Sequence, residues 1–454
     1  METSKVNVRE LSLEVLLKVL EEDEYSSAVI GQVLTVYQYL EKQERAFFTR
    51  LCEGTIERAL ELDYILNQFS KVKVKKMKPV IRNILRMGVY QLKYMEQVPD
   101  SAACNEAVKL AQRKGFHNLK GFVNGVLRNI GRNMDKISYP SREEKPILYL
   151  SIRYSMPEWI VKRWITQYGL EQTESMLQAS LSERPTTIRC NCDKTTVEEL
   201  KELLGKEQVT VETGAYIEEA LRISDYNYLQ RLESFRQGLF TVQDESSMLV
   251  ALAAGIKEGD QVVDVCAAPG GKSLHAAELL HGTGNVSARD LTEQKISKIQ
   301  ENKQRLGMKN LDVKVWDATV KDESMEAYAD VVIADLPCSG LGVIGKKNDI
   351  KYKASPEGIE ELAKLQRQIL QVVSSYVKAG GILIYSTCTV NQTENEENMH
   401  WIEEELGFKL ESLDSYIPQK LHNNTTKKGY LQLIPGIHKT DGFFLARFRK
   451  SEKR

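Results

Sequence analysis

Two cysteines stand where a thiol could do covalent chemistry. Cys338 follows Asp335-Leu336-Pro337, and Cys388 follows Tyr385-Ser386-Thr387. Each comes just after a short apolar run, 331–334 and 382–385, of the continuous kind that reads as a strand buried on both faces. Neighbouring parallel strands lie about 4.8 Å apart, so thiols at their carboxyl ends can face one substrate. A thiolate is accessible near neutral pH and strongly nucleophilic, which suits covalent addition to an electron-poor carbon. Taken singly, each cysteine reads more simply as a small buried hydrophobe. The pair, at matching strand ends beside a ligand crevice, points to catalysis.

The elements that would position these thiols begin near residue 236. Strands are expected at 262–265, 285–289, 313–316, 331–334 and 382–385, and helices at 292–306 and 356–377. Strands that alternate with helices and are apolar throughout imply a parallel sheet covered on both faces, a doubly wound α/β domain. Residues 430–434 and 443–449 can pair as an antiparallel edge. The first strand runs into Asp264-Val265-Cys266-Ala267-Ala268-Pro269-Gly270-Gly271-Lys272-Ser273. Small residues there let the backbone approach a ligand closely. The run matches neither the dinucleotide fingerprint nor the phosphate-binding loop. Asp290 closes the second strand, 19 residues after Gly271, where an acid commonly takes a ribose hydroxyl pair. Asp317 ends the third strand, within reach of an adenine edge, and Asp335 ends the fourth. One acid at a strand end is usually a cap or a solvated loop residue. Four in series, counting Asp264, favour a nucleoside cofactor.

Ahead of this domain the chain reads differently. Residues 1–140 carry helical periodicity, as in Leu11, Val15, Leu16 and Val19, with little Gly or Pro. The net charge of −1 conceals a contrast: residues 1–70 carry 7 Lys/Arg against 13 Asp/Glu, and residues 71–140 carry 15 against 4. The excess centres on Lys71, Lys73, Lys75, Lys76, Lys78, Arg82 and Arg86. A lysine run is often only a solvated face, but an imbalance of this size suits phosphate binding driven by counterion release. A polar, proline-bearing stretch at 139–146 reads as a linker. Residues 150–235 mix helix and strand patterns and suggest a small α+β domain. Cys190 and Cys192 form a lone C-x-C with no second pair, so a four-ligand zinc site is not expected and both read as buried or half-buried cysteines.

Composition bounds the rest. At 454 residues, 42% hydrophobic and 28% charged, the chain is a globular protein of about three domains. Seven cysteines are too few, and odd in number, for a disulfide scaffold, and they suit a reducing cytoplasm. The charged start METSKVNVRE has no apolar signal region, and no stretch approaches the roughly 18 apolar residues of a membrane helix.

The run 266–273 with Asp290, Asp317 and Asp335 resembles the S-adenosyl-L-methionine site of the RNA cytosine-5 methyltransferases, and GLFTVQDESS at 238–247 resembles the lead-in to that domain. The resemblance implies that Cys266, Ala267, Ala268, Pro269, Gly270, Gly271 and Lys272 wrap the methionine end of the cofactor. It assigns the ribose to Asp290 and the adenine to Asp317, and sets Asp335 beside both cofactor and base. Chemistry alone does not say which cysteine attacks. DNA enzymes use the cysteine of Pro-Cys. RNA enzymes carrying both motifs use that of Thr-Cys, which makes Cys388 the nucleophile and Cys338 an aid to product release. Residues 1–140 look like the helical RNA-binding fold of NusB, with Asn124-Gly125-Val126-Leu127-Arg128 inside its typical FVNGVLR segment. That domain fused before this core is the arrangement of the RsmB (Sun/Fmu) family, which implies methylation of 16S rRNA, at cytosine 967, by a cytoplasmic monomer with no DNA or membrane partner. The closing TDGFFLAR at 440–447 fits as well.

The expected domains are 1–140, NusB-like; 150–235, small α+β; and 236–454, methyltransferase. Two departures stand in the loop after Cys338: Gly345 replaces a usual arginine and Asn348 a usual proline, which removes a phosphate contact and some stiffness. Leu336 stands where alanine is usual and Arg289 precedes Asp290. Another RNA such as tRNA, or a non-catalytic assembly factor, remain as alternatives. The intact Cys338, Cys388, Asp335 and cofactor loop count against the second.

Overall fold

The computed structural model describes residues 6–182 and 185–452. The first five residues of the charged start, residues 183–184 and residues 453–454 lie outside the described residues. The chain divides into two compact units. One comprises residues 1–182 with 344–353, and the other residues 183–343 with 354–454.

The first unit is helical: α1 (Val8–Glu21), α2 (Ser26–Val36), α3 (Lys42–Glu57), α4 (Ala59–Phe69), α5 (Pro79–Tyr94), α6 (Asp100–Arg113), α7 (Lys120–Arg132), α8 (Pro146–Arg153), α9 (Glu158–Tyr168) and α10 (Leu170–Ser180). Local chemistry sets the ends. The Asn7 side chain caps α1 by accepting from the Glu10 N–H, and Pro79 opens α5 where a missing N–H costs nothing. One core holds Leu13, Leu16, Phe48, Leu51, Leu62, Ile65, Leu85 and Leu127. The basic segment splits on inspection. Lys71, Lys73, Lys75, Lys76 and Lys78 are all exposed. Arg82 and Arg86 are not part of that surface. Arg82 is paired with Glu21, and Arg86 is buried with both guanidinium arms on Asp63 at 2.7 Å.

Residues 344–353 pack in this unit as its last piece. Asp349 accepts from the Ser26 N–H and hydroxyl at 3.0 and 2.6 Å. Lys351, 1% exposed, donates to the Glu57 carbonyl at 2.7 Å, and Tyr352 sits 3.2 Å from the Ser155 hydroxyl. At Gly345 an added Cβ would come within 3.2 Å of the Ser180 carbonyl oxygen, so a larger residue would crowd that contact.

The second unit holds two sheets. The smaller is antiparallel, in the order β2-β3-β1-β4, from β1 (Thr186–Cys190), β2 (Thr210–Thr213), β3 (Ala220–Ser224) and β4 (Phe240–Val242), with α11 (Val197–Lys206) packed on it. Ile188, Leu200, Leu221 and Phe240 form its core. Cys190 is buried there, whereas Cys192 is exposed rather than half-buried, because it has left the strand.

The larger sheet contains β5 (Gln261–Asp264), β6 (Asn285–Asp290), β7 (Leu311–Val315), β8 (Ala329–Asp335), β9 (Val377–Thr387), β10 (Phe408–Leu410), β11 (Tyr430–Leu433) and β12 (Phe443–Lys450). Its order is β10-β12-β9-β8-β5-β6-β7, with β11 paired to β12. Strands β5 to β9 are parallel and the last three are antiparallel. Its helices are α12 (Glu245–Ala254), α13 (Gly271–Leu279), α14 (Glu293–Leu306), α15 (Pro356–Val373) and α16 (Glu396–Glu405). Alternate strand residues face opposite layers: Val262, Val331 and Ile333 pack with α12 and α13, and Val263, Val332 and Ala334 with α15 and α16. This is the doubly wound fold expected, with three differences. The helix expected over 356–377 stops at Val373, since residues from Val377 join β9 and pair with β8 across a bulge. The strand expected at 313–316 is Leu311–Val315. The pair β11/β12 is not a simple edge, because β12 also hydrogen-bonds β9 and β10.

Among the described residues no helix is long and apolar enough to cross a membrane, and no cluster has metal-ligand character.

Candidate active site

The chain returns from β7 to the other side of β5 to make β8, so strand order reverses between β5 and β8. Loops splay apart outside the carboxyl ends of the strands at such a point. The turn from β5 to α13 lies there. Gly270 sits at φ +107°, where a side chain would be strained, and an added Cβ would lie 3.3 Å from Ile299 and Leu274. Asp290 accepts from the Ala268 N–H at 2.9 Å, the Leu291 N–H at 2.7 Å and Lys295 Nζ at 2.8 Å. It therefore holds the loop in shape as well as lining the crevice. Asp264, at the end of β5, is fully buried and accepts from Ser273 at 2.5 Å; burial raises its carboxyl to about 7. Cys266 is half-buried, and burial followed by the charges of Asp290, Asp264 and Asp335 pushes its thiol up. Small residues, a glycine cradle and acids at successive strand ends suit a nucleoside cofactor with an amino-acid tail.

Asp317 stands apart. It is exposed, two residues past β7, and caps a turn by accepting from the Thr319 N–H at 2.9 Å and hydroxyl at 2.7 Å, which lowers its carboxyl. Only its second oxygen is left for a ligand.

Lys272, Asp335, Cys338 and Cys388 come together. Strands β8 and β9 pair in register, Asp335 opposite Ser386. Asp335 is gripped from two sides, by Lys272 Nζ at 2.7 Å and by the Ser386 hydroxyl at 2.8 Å. The sulfurs of Cys338 and Cys388 lie 3.3 Å apart, both half-buried and neither in a disulfide. Their surroundings differ. Burial alone would pull the Lys272 ammonium down, but Asp335, with Asp264 and Cys388, leaves it raised. Lys272 is thus a cation within electrostatic reach of Cys388. The Cys338 thiol is pushed well above its ordinary value by its hydrogen bond with Cys388, then by burial, the Cys388 charge and the Glu394 carboxylate.

Two features of the site were invisible in sequence. Below Cys338 lies a buried polar network around Glu394. The other joins the small sheet to the catalytic domain: Glu245, at the start of α12, accepts from the N–H groups of Ala215, Tyr216 and Ile217 at 2.7, 2.7 and 2.9 Å. Arg189 of β1, 2% exposed, donates to Gln243 at 2.8 Å and pairs with Glu278 of α13. The segment containing Gln243 and Glu245 was recognisable as a lead-in, but its partners are distant in sequence.

A helical unit followed by a small antiparallel sheet and a Rossmann-like domain with paired cysteines defines a multidomain RNA-modifying methyltransferase. Residues 251–449 match the family model described as 16S rRNA methyltransferase RsmB/F, residues 6–132 that of the NusB family, and residues 156–230 that of the RsmF/B-like ferredoxin-like domain. A probable ribosomal RNA small subunit methyltransferase B of Bacillus subtilis (strain 168) is 38% identical over 451 residues, covering 98% of this chain and 99% of its own length. The crystal structure of PH0851 superposes with a TM-score of 0.81 at 24% identity, over 98% of this chain and 99% of that one. NSun6 from Pyrococcus horikoshii with SFG gives 0.57 at 23% identity, over 66% and 99%. The chain belongs to the RsmB/F family of 16S rRNA methyltransferases.

Proposed function

We propose that this chain methylates carbon 5 of cytosine 967 of 16S rRNA, with S-adenosyl-L-methionine as donor and through a covalent cysteine adduct. The observation that carries the assignment is the unequal setting of two thiols 3.3 Å apart: the buried Glu394 carboxylate stands behind Cys338, held on the N–H of the next residue, Ser339. That carboxylate opposes a thiolate at Cys338. Cys388 is therefore the nucleophile and Cys338 the thiol that donates to it.

Residues 266–272 would wrap the methionine end of the donor, with Asp290 toward the ribose, the free oxygen of Asp317 toward the adenine, and Asp335 bordering donor and base. When bound, the donor supplies a methyl group made electrophilic by its sulfonium. The Cys388 sulfur bonds to carbon 6 of the cytosine, and the pair from the ring double bond moves to carbon 5, making it nucleophilic. Asp335, fixed by Lys272 and Ser386, meets the amine and ring-nitrogen edge and steadies the charge that develops there. Once carbon 5 has taken the methyl group, the methyl–sulfur pair staying on the donor's sulfur, a base takes up the carbon-5 proton and the carbon–hydrogen pair restores the ring double bond. The carbon–sulfur bond breaks with its pair on Cys388, eased by the Cys338 S–H. Carbon 6 is shielded within a helix, so the target must be unstacked.

On this reading residues 1–140 bind RNA through the exposed Lys71–Lys78 run, residues 150–235 form the small α+β domain, and residues 236–454 carry the chemistry. The enzyme acts as a cytoplasmic monomer on RNA and not on DNA. Bisulfite sequencing of rRNA and tRNA tests it in cells lacking the gene and carrying plasmid copies. Loss of one 5-methylcytosine in 16S rRNA is expected, restored by the wild type and not by Cys388→Ala. Cys338→Ala should leave protein covalently attached to rRNA. Loss confined to tRNA, or turnover by Cys388→Ala, would overturn it.

A further inference from the structure

The run 391–398, Asn-Gln-Thr-Glu-Asn-Glu-Glu-Asn, looks like a solvated loop, yet Asn391, Glu394, Asn395 and Asn398 are 0% exposed. Glu394 is the centre of what they build. One carboxylate oxygen accepts from the Ser339 N–H at 2.9 Å and from Gln366 Nε2 at 3.0 Å. The other accepts from the Ser339 hydroxyl and from Asn391 Nδ2. The same Gln366 nitrogen donates to the Pro337 carbonyl at 2.8 Å, and Asn398 donates to Gln366 Oε1 at 2.7 Å. The residues on both sides of Cys338 are therefore tied to one carboxylate and to the amide that serves it.

The Ser339 N–H cannot reverse, and the Gln366 and Asn391 amides are held in orientation by further bonds, to the Pro337 carbonyl and from the Glu394 N–H, so the group is built as an acceptor. A buried anion set among neutral donors is costly, and a neutral amide would serve a purely architectural loop more cheaply. What the charge adds is its field at the adjacent Cys338 sulfur, where negative charge is disfavoured.

We infer that Glu394 is a positioning residue: it clamps the loop through Pro337 and Ser339 and reserves Cys338 as the protonated donor to Cys388, dividing attack and release between two touching sulfurs. The inference rests on the roles proposed above for the two cysteines, and its first test needs neither RNA nor methyl donor.

The full-length protein is treated with iodoacetamide between pH 6.5 and 9.5, and initial alkylation of the two peptides is followed by mass spectrometry. In the wild type Cys388 should react roughly tenfold or more faster than Cys338 at pH 8. Glu394→Gln, checked for folding by circular dichroism, should bring the Cys338 profile down by about one pH unit, which is roughly tenfold in rate. The Cys388 profile should stay close to that of the wild type. With RNA and donor added, this variant should form the adduct but release it more slowly. Wild-type Cys338 reacting as fast as Cys388 overturns the inference even if the variant does not fold. So does an unmoved Cys338 profile in folded Glu394→Gln. If the alkylation pattern holds and no RNA adduct ever forms, the proposed reaction fails and the clamp stands.

Discussion

Two sulfurs at 3.3 Å would be interchangeable but for their neighbours. The neighbours are fixed by strand register and helix start: Lys272 reaches Asp335 from the first turn of α13, Ser386 reaches it from β9, and Cys388 is two residues further on. A second titratable group sits beneath this arrangement. Asp264 is fully buried, with its carboxyl raised to about 7 mainly by burial. A raised carboxyl means the folded state holds a proton that the unfolded chain, titrating near 3.9, releases. Its contribution to stability is full below about pH 4 and lost as pH rises through about 7. The wild type should therefore lose ground to Asp264→Asn between pH 5 and 8, by on the order of 2 kcal/mol, measured by chemical denaturation. A difference that does not change with pH would contradict this.

The elements carrying these residues were legible where local pattern decides. Continuous apolar runs marked β5, β8 and β9, and the cysteines and acids fell at their ends. Local pattern failed where burial is decided by distant partners. Residues 391–398 are polar throughout, and nothing in them announces that Gln366 and Ser339 will cover them. Val377 read as the end of a helix because pairing with β8, not propensity, makes it strand. Arg82 and Arg86 read as phosphate contacts because Glu21 and Asp63 lie tens of residues away. Arg189 is the same kind of case, an ordinary charged strand residue until it meets Glu278. That pair holds β1 against α13, the helix that follows the cofactor loop. Removing one partner leaves the other charge buried and unpaired, so Arg189→Met should cost about 3–5 kcal/mol. In urea, the loss should appear in the unfolding of the second unit, and a loss below about 1 kcal/mol would mean the pair is solvated.

For the whole molecule, the net charge of −1 says little. The exposed lysines at 71–78 are offset in the sum by the excess of acids in residues 1–70, 13 Asp/Glu against 7 Lys/Arg. Chain length and composition suggested about three domains, and three family models match along the chain. Length and composition could not suggest that the helical unit is discontinuous, completed by residues 344–353. That segment reads as a basic loop, yet Asp349 and Lys351 are 2% and 1% exposed. Its contacts with Ser26, Glu57 and Ser155 give a direct test. A fragment of residues 1–182 should melt several degrees below the same fragment carrying 344–353 on a flexible linker. Equal melting temperatures would show the segment to be dispensable.

This discontinuity also orders events during synthesis. The helical unit is the first part of the chain to emerge, but its closing piece is made about 170 residues later. At roughly 5–20 residues per second, it waits on the order of ten to thirty seconds with the seat for Asp349 and Lys351 open. Cys338 precedes that closing piece and Cys388 follows it, so the two thiols proposed for catalysis are both in hand only after the closing piece has been made.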